Sequence, residues 1–233
     1  MLGFTNLWVD NGSLIQICRQ LEINIRTAVD WASYSREVLL CIMIDGKEKL
    51  GGPDKIVEID ESKFGKRKYY RGHYVEGMWV FGGYERGSGR IFMIPVEFRN
   101  ADTLIPIIKE WIEDGTTIIS DFWKAYNCLE NEGFKHLKVN HSQHFKDPDS
   151  GAHTNSIESS WRAAKSVMSS AGRKKAHIPG NLAKYMFFKR CKELKLDKTR
   201  EFYRLAGKHY NPTKNEPIPG NEDFTDDEDI EFD

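Results

Sequence analysis

The 233-residue chain lacks several features that mark large classes of protein. No apolar run is long enough to cross a bilayer, which argues against a transmembrane helix. The N-terminal segment has no basic stretch followed by a long apolar one, so we expect no secretory signal. The four cysteines are scattered and form no CxxC pair, which disfavours a zinc ribbon or a redox motif. Scattered free thiols suit a reducing compartment such as the cytosol or nucleus.

Charge is present in both signs but is unevenly distributed. The formal net charge is −1, yet residues 214–233 hold nine acids and one base, which leaves residues 1–213 at +7. A basic body with an acidic tail favours a polyanionic partner such as nucleic acid. The alternative is a solvated body with a solubilising tail, and charge alone does not decide between the two. We expect residues 213–233 to be a disordered acidic tail.

Residues 1–50 predict a helical unit. Within residues 13–43, Leu14, Ile17 and Leu21 follow helical spacing, and Ser13 is suited to cap the helix that they form. A second helix is predicted to start near Thr27 after a short break. This outline is typical of a helix-turn-helix, although any two packed helices give the same pattern.

From residue 55 the pattern changes to short apolar runs between turns. Strands are predicted at residues 55–64, 77–86, 89–98, 116–121 and 136–140. Helices are predicted at residues 101–112, 122–133, about 155–170 and 180–195. This order predicts, over residues 55–200, an α/β domain with a mixed five-stranded sheet flanked by helices on both faces. The ribonuclease-H-like fold has this order of elements.

Two aspartates occupy unusual places in the predicted strands. Asp60 lies within the apolar run "IVEID", and Asp121 ends the apolar strand "TIISD". A carboxylate at the end of a buried strand is costly unless it is paired. Asp121 could instead cap the helix predicted after it. If the strands are neighbours, the two aspartates would hold a divalent cation through their oxygens.

Glu158 is the third candidate acid. Helical spacing places it at the edge of an apolar stripe, next to Trp161, where it faces the strand ends. The stripe consists of Ile157, Trp161, Ala164 and Met168. The alternative is an ordinary first-turn glutamate that is favoured by the helix dipole and paired with Arg162.

Three acids on strand, strand and helix point to two-metal chemistry on a phosphodiester. Mg²⁺ prefers such hard oxygen ligands, and DNA phosphates require basic surroundings. Basic residues follow the first and third acids: Lys63, Lys66, Arg67, Lys68, Arg71, Arg162, Lys165, Arg173, Lys174 and Lys175. The run "GKRK" would also fit a solvated hairpin loop, but the tyrosines interleaved after it favour a nucleic-acid surface.

Three stretches carry a resemblance to a known family. They are "VEIDESKFGKRKYYRG" (57–72), "SDFWKAY" (120–126) and "VNHSQHFKDPDSGAHTNSIESSWRAAK" (139–165). The last is the most specific. In these stretches the sequence resembles DDE transposases of the Merlin kind and their bacterial insertion-sequence relatives, and the resemblance covers roughly residues 13–190.

The resemblance implies a catalytic triad of Asp60, Asp121 and Glu158, with Mg²⁺ as cofactor and Mn²⁺ as its substitute. Asn155 would be an alternative ligand or would position Glu158. His153 would contact a phosphate, orient a ligand or be structural. The implied reaction is cleavage and strand transfer of double-stranded DNA by a homodimer. It would occur in the nucleus if the source is eukaryotic and otherwise in the cytoplasm.

The chain also departs from the family's pattern. Relatives often carry a cysteine-rich zinc-binding segment before the helix-turn-helix, and this sequence has none. A domesticated or truncated relic that binds DNA without transposing is therefore the alternative function. A ribonuclease or other two-metal nuclease is disfavoured by the N-terminal helix pair and the "GAHTNSIESSW" motif.

Overall fold

A computed structural model describes residues 2–65, 77–139, 153–168 and 174–210. Of the residues predicted to bind DNA, Lys66, Arg67, Lys68, Arg71 and Arg173 lie outside these ranges, as does the acidic tail. The helices are α1 (Leu2–Val9), α2 (Leu14–Leu21), α3 (Ile25–Asp45), α4 (Ala101–Trp111), α5 (Asn155–Ser166), α6 (Ile178–Glu193) and α7 (Lys198–His209). The strands are β1 (Leu50–Gly51), β2 (Ile56–Phe64), β3 (Met78–Glu85), β4 (Ile91–Val96), β5 (Ile112–Glu113), β6 (Thr117–Asp121) and β7 (Lys135–Val139).

The main sheet has five strands in the order β4-β3-β2-β6-β7. Strands β2, β3 and β4 are antiparallel neighbours, whereas β6 runs parallel to both β2 and β7. Strands β1 and β5 form a separate parallel pair. The mixed sheet predicted from the sequence is confirmed, and its order is that of the ribonuclease-H-like fold.

Helices cover both faces of the sheet. On one face, α4 packs Leu104 and Ile108 against Ile59 and Phe81 of the strands. On the other face, α5 and α6 pack against Val80 and Met93. The predicted apolar stripe of α5 is confirmed, because all four of its residues are buried in this second cluster. Helices therefore cover both faces of the sheet over β2, β3 and β4, whereas Lys135 and Leu137 of the outer strand β7 are exposed.

The N-terminal helices share a core with the C-terminal ones. Phe4, Trp8 and Leu39 lie in one apolar cluster with Phe187 of α6 and Phe202 of α7. The helix pair predicted from residues 13–43 is present as α2 and α3, with Ser13 as the expected cap, whereas α1 and α7 were not predicted. Residues on both sides of residue 50 contribute to this core. The domain boundary expected there stays a prediction.

The prediction of one helix over residues 122–133 was wrong. The structure has two short 3₁₀ helices there, Lys124–Tyr126 and Leu129–Glu132. The reason is that Trp123, Tyr126 and Leu129 all enter the cluster beneath α4. Their spacing of three residues matches the three residues per turn of a 3₁₀ helix rather than the 3.6 of an α-helix.

Gly82 allows α5 to approach the sheet. It lies opposite Asp60 in the β2–β3 ladder. A Cβ atom there would be 2.5 Å from the Trp161 ring and 2.9 Å from the Phe92 carbonyl oxygen. Glycine is thus required at this position for space, because the indole of α5 lies directly on the strand backbone.

Gly82→Ala should therefore lower stability by about 1–3 kcal/mol, the usual cost of overpacking. Gly207→Ala in α7 is the matched control, because a Cβ atom there meets nothing within 4 Å. It should be neutral or stabilise by up to about 1 kcal/mol through helix propensity. Thermal melting of both variants checks this, and equal melting temperatures would contradict the packing argument.

Candidate active site

Strand β2 directs alternate side chains towards α5. Glu58 accepts hydrogen bonds from the backbone N–H groups of Ser156 (2.9 Å) and Ile157 (3.0 Å). Two residues on, Asp60 Oδ2 accepts a bond of 3.0 Å from the Trp161 indole N–H.

The next residue in this alternation is Ser62, whose hydroxyl accepts a bond of 2.6 Å from Lys165 Nζ. Two strand residues rise about 6.6 Å and four helix residues about 6 Å, so each step along β2 matches one helical turn of α5. The three polar contacts together fix the register of the helix on the strand.

Asp60 lies midway along β2, and Asp121 ends the neighbouring strand β6. Glu58 pairs with Ile119 in the parallel β2–β6 ladder. Extending that register by two residues brings Asp60 opposite Asp121, with both side chains on the α5 side. The pKa of Asp60 is raised to about 6, chiefly by burial; hydrogen bonds from Trp161 and the Glu61 backbone lower it, and the charges of Asp121 and Glu158 raise it.

Glu158 is exposed in the first turn of α5, where the helix dipole favours a negative charge. Its Oε1 accepts a hydrogen bond of 3.2 Å from the Thr154 hydroxyl. Its charge acts on Asp60 from the helix side, and that of Asp121 acts from the neighbouring strand. The structure thus places the three acids predicted from the sequence at the same end of the sheet, where β6 stops and α5 begins.

The alternative interpretation of Asp121 as a helix cap was wrong, because Trp123 occupies the N-cap position of the first 3₁₀ helix and no side chain of the described residues caps that helix. Asp121 Oδ1 accepts a hydrogen bond of 3.1 Å from the Trp123 N–H. This bond leads the chain into the first 3₁₀ helix.

The donor set suits a hard divalent cation, since it consists of carboxylates that repel one another when they are ionised. Within the ranges that the structure describes, no three acidic, histidine or cysteine side chains converge closely enough to enclose one metal ion. Each acid is instead held by a local bond, from Trp161, Trp123 or Thr154. A cation would draw the three carboxylates together from these positions.

Glu58 is a site residue that the sequence analysis did not single out. Its side chain is fully buried and accepts hydrogen bonds from the Arg86 Nε (2.6 Å) and the Ser156 hydroxyl (2.9 Å), besides the two helix N–H groups. The carboxylate therefore caps α5, the helix that carries Glu158, from the strand β2 on which the helix packs. Its position two residues before Asp60 in an alternating strand was the signal for it.

Glu61 is the second such residue. It points to the face opposite Asp60, and its Oε1 is buried without a hydrogen-bond partner among the described residues. Burial raises its pKa to about 8, with the charges of Asp60 and Asp121 adding to this and Arg99 opposing it. Glu61 therefore keeps its proton at neutral pH.

His153 and Asn155 lie where α5 begins. The His153 carbonyl accepts a bond of 2.7 Å from Arg86, and its ring Nδ1 is 3.5 Å from Glu58 Oε1. Asn155 is exposed one turn before Glu158, so the two side chains lie on the same side of the helix.

Five of the predicted DNA-binding basic residues lie within the described ranges. Lys63, Arg162, Lys174 and Lys175 are exposed, and Lys165 is half-buried against Ser62. Lys63 extends from the C-terminal part of β2, and Lys165 lies in the last turn of α5, at the opposite end of that helix from Glu158. Lys174 and Lys175 precede α6.

A family model for the ISXO2-like transposase domain matches residues 49–178, more than half of the chain. The chain belongs to this family. The match runs from just before β1 to the first residue of α6, and it includes all three acids. The resemblance to transposases drawn from the sequence motifs is confirmed.

Known relatives agree with this assignment. An uncharacterized transposase-like protein of Haemophilus influenzae is 29% identical over 76 residues, which are 33% of this chain and 60% of that protein. The chain thus spans less than two thirds of this relative. No helix within the described parts of the transposase chain is long and apolar enough to cross a membrane.

Solved structures with distant likeness include two catalytic cores of retroviral integrases. The core of BIV integrase has a TM-score of 0.37 at 12% identity, covering 55% of this chain and 80% of that one. The core of HTLV-2 integrase, solved in complex with magnesium, has the same TM-score and identity, covering 59% and 86%. The Drosophila P element transposase strand transfer complex has a TM-score of 0.32 at 12% identity, covering 87% and 62%.

Glu58→Gln should destabilise the transposase domain by about 3 kcal/mol, because an amide cannot satisfy four donors and leaves Arg86 without its buried counter-charge. Glu85→Gln is the matched control, since Glu85 is equally buried and paired with Arg90 at 2.7 Å but does not contact α5. Amide hydrogen exchange should accelerate at Ser156 and Ile157 in Glu58→Gln alone. Equal protection of these amides in both variants would contradict the capping role.

The Glu61 carboxyl makes stability depend on pH. Between pH 6 and 8 it stays protonated in the folded chain and is ionised in the unfolded one, so stability falls as pH rises. Below its ordinary pKa of 4.5 the penalty disappears. The Asp60 window closes near pH 6, so it does not overlap the interval between pH 6 and pH 8.

Melting in EDTA at pH 6 and pH 8 tests this dependence. The melting temperature of Glu61→Gln should fall less between pH 6 and pH 8 than that of the parent chain. Glu97→Gln, which changes an exposed carboxylate, should behave like the parent. An identical pH dependence in all three would show that Glu61 ionises normally.

Proposed function

We propose that this transposase domain is a metal-dependent polynucleotidyl transferase that cleaves DNA and joins the resulting 3′-hydroxyl to target DNA. The observation that carries the proposal is the position of Asp60, Asp121 and Glu158, which lie on β2, β6 and α5 at the same end of the sheet. Family membership supports the same reaction class. The three acids come from separate elements, so only the folded chain assembles them.

Asp60, Asp121 and Glu158 are the residues that would hold Mg²⁺ at this site. Mg²⁺ held in this way supplies activation of a water or 3′-hydroxyl and stabilises the leaving oxygen of the phosphodiester. Mn²⁺ is the expected substitute. Asn155, exposed one turn before Glu158, is the alternative ligand.

The chain's own residues prepare this site before a cation arrives. The Trp161 indole holds one Asp60 oxygen in place, and the Trp123 N–H does the same for Asp121. The capped N-terminus of α5 presents Glu158 from the helix side. Because protons compete with cations for carboxylates, the raised pKa of Asp60 predicts that cation binding strengthens as pH rises through about 6.

Double-stranded DNA is the proposed substrate. Lys63, Arg162 and Lys165 extend from β2 and α5, the elements that carry Asp60 and Glu158, where they suit phosphate contacts. Lys174, Lys175 and His153 are further proposed contacts. A homodimer is proposed because two element ends must be held together for strand transfer. Such a protein acts where the chromosome is, in the cytoplasm of a bacterium or the nucleus of a eukaryote.

Nicking of supercoiled plasmid in Mn²⁺ tests the proposal. Asp121→Asn should reduce nicking by about 100-fold or more, because metal-held charge stabilisation is worth several kcal/mol. The substitution keeps the Oδ1 atom that accepts from Trp123, so the fold should persist. Asp114→Asn changes an exposed aspartate before the other end of β6 and should nick like the parent.

Two outcomes would count against the proposal. Nicking that survives in Asp121→Asn would place the activity elsewhere or in a contaminant. A folded parent chain that binds DNA but does not nick it would favour the alternative, a transposase relic that binds DNA without transposing.

A further inference from the structure

A group of aromatic and cationic side chains lies at the same end of the sheet as the three acids, on the α4 face, where Trp79 and Trp123 pack against the apolar cluster beneath α4. We call it the aromatic ledge, and it consists of Trp79, Phe98, Arg99, Phe122 and Trp123. It is formed where β3 begins, where the chain leaves β4 and where it leaves β6. Trp79 pairs with Lys63 near the end of β2, and Phe122 directly follows Asp121. The ledge therefore lies at the same end of the strands as the acids.

Arg99 joins the parts of the ledge. Its guanidinium carbon lies 3.6 Å from the centre of the Trp79 ring and 5.1 Å from that of Trp123. Its charge lowers the pKa of Glu61, and its contact with Trp79, the partner of Lys63 in the β2–β3 ladder, places it near the end of β2. A guanidinium stacked on indole rings keeps its charge and its outward N–H groups available to an anion.

Two phenylalanines of the ledge face solvent. Phe98 is 60% exposed and Phe122 is 61% exposed, although aromatic side chains are ordinarily among the most buried. Each immediately precedes a member of the stack, Arg99 or Trp123. Exposed aromatic rings next to a catalytic edge provide flat apolar faces for a planar ligand.

The charges around these rings favour nucleic acid over protein. Lys63 and Lys124 are exposed beside the ledge, with Lys63 Nζ 5.7 Å from the Trp79 ring centre. Together with Arg99 they outnumber the single exposed acid of this loop, Glu97. Protein interfaces are depleted in lysine, whereas aromatic rings combined with cations are the usual surface for unpaired nucleotides.

We propose that the aromatic ledge binds unpaired nucleotides of the DNA strand that is cleaved at the three acids. The inference rests on the proposed function and extends it, since it requires that DNA at the site be locally unpaired. A base within a duplex presents only its edges, so its face reaches a phenylalanine only after the pair has opened. The ledge would stack such a base, and Arg99 would contact the neighbouring phosphate.

Fluorescence anisotropy with a single-stranded oligonucleotide and its duplex, both in EDTA, tests the ledge apart from catalysis. Phe122→Ala and Phe98→Ala should each weaken single-strand binding by roughly 5- to 100-fold and duplex binding by less than about twofold. Phe122→Tyr should retain the affinity, because a base stacks on either ring. The salt dependence should stay unchanged in the phenylalanine variants and become weaker in Arg99→Ala.

Leu194→Ala is the control for loss of exposed apolar surface, since Leu194 is 51% exposed at the end of α6. It should bind both DNAs like the parent, and melting temperatures should confirm that every variant is folded. Equal weakening of single strand and duplex, or no weakening of either, would overturn the inference. So would a parent dimer, seen by light scattering, that dissociates in Phe122→Ala, because the ledge would then be a protein interface.

The plasmid assay keeps the two proposals distinguishable. A parent chain that discriminates single strand from duplex through Phe122 but does not nick would retain the ledge and lose the proposed cleavage. A parent chain that nicks but binds both DNAs independently of Phe98 and Phe122 would retain the cleavage and lose the ledge. A parent chain that binds no DNA would overturn both.

Discussion

The bond between a fully buried carboxylate and the N-terminus of α5 is the constraint on which the site depends. Glu58 lies in the interior, where its carboxylate accepts hydrogen bonds from the Arg86 guanidinium, two helix N–H groups and one hydroxyl. Removing any donor would leave charge uncompensated in a low-dielectric interior. The start of α5 is thereby fixed, and the match between strand and helix spacing then places Trp161 on Asp60 and Lys165 on Ser62.

The acids lower the stability of the fold that holds them. Asp60, Asp121 and Glu158 repel one another, and Glu61 adds a buried carboxyl whose pKa is raised to about 8. Such clusters persist in proteins when the surrounding structure over-determines them. Here that structure is a sheet whose strands β2, β3 and β4 are covered by helices on both faces, with Gly82 allowing the α5 indole to lie on the backbone. Stability from packing thus offsets repulsion at the site.

The strands could be predicted because their signal is local, whereas the catalytic roles of Asp60, Asp121 and Glu158 stay a prediction that the family resemblance implies. Apolar runs mark the strands, and a carboxylate that ends such a run is conspicuous by itself. Glu58 and Glu61 escaped prediction because their roles depend on what lies across the sheet, which the sequence order does not show. The 3₁₀ helices after Asp121 escaped because a spacing of three apolar residues reads as helical until the packing of Trp123 and Tyr126 is known. Helix α7 depends on contacts with the N-terminus, far away in sequence.

The alternation of side chains along β2 explains why this one strand serves two purposes. Its even-numbered residues face α5 and carry the acid of the proposed chemistry, whereas Glu61 and Lys63 face the other side, towards Arg99 and Trp79. A shift of one residue in the register with β3 would exchange these sets and destroy both surfaces together. The carboxylates proposed to hold the cation and the rings proposed to stack the nucleotide are therefore positioned by the same ladder of hydrogen bonds. DNA lying across the end of β2 would meet both at once.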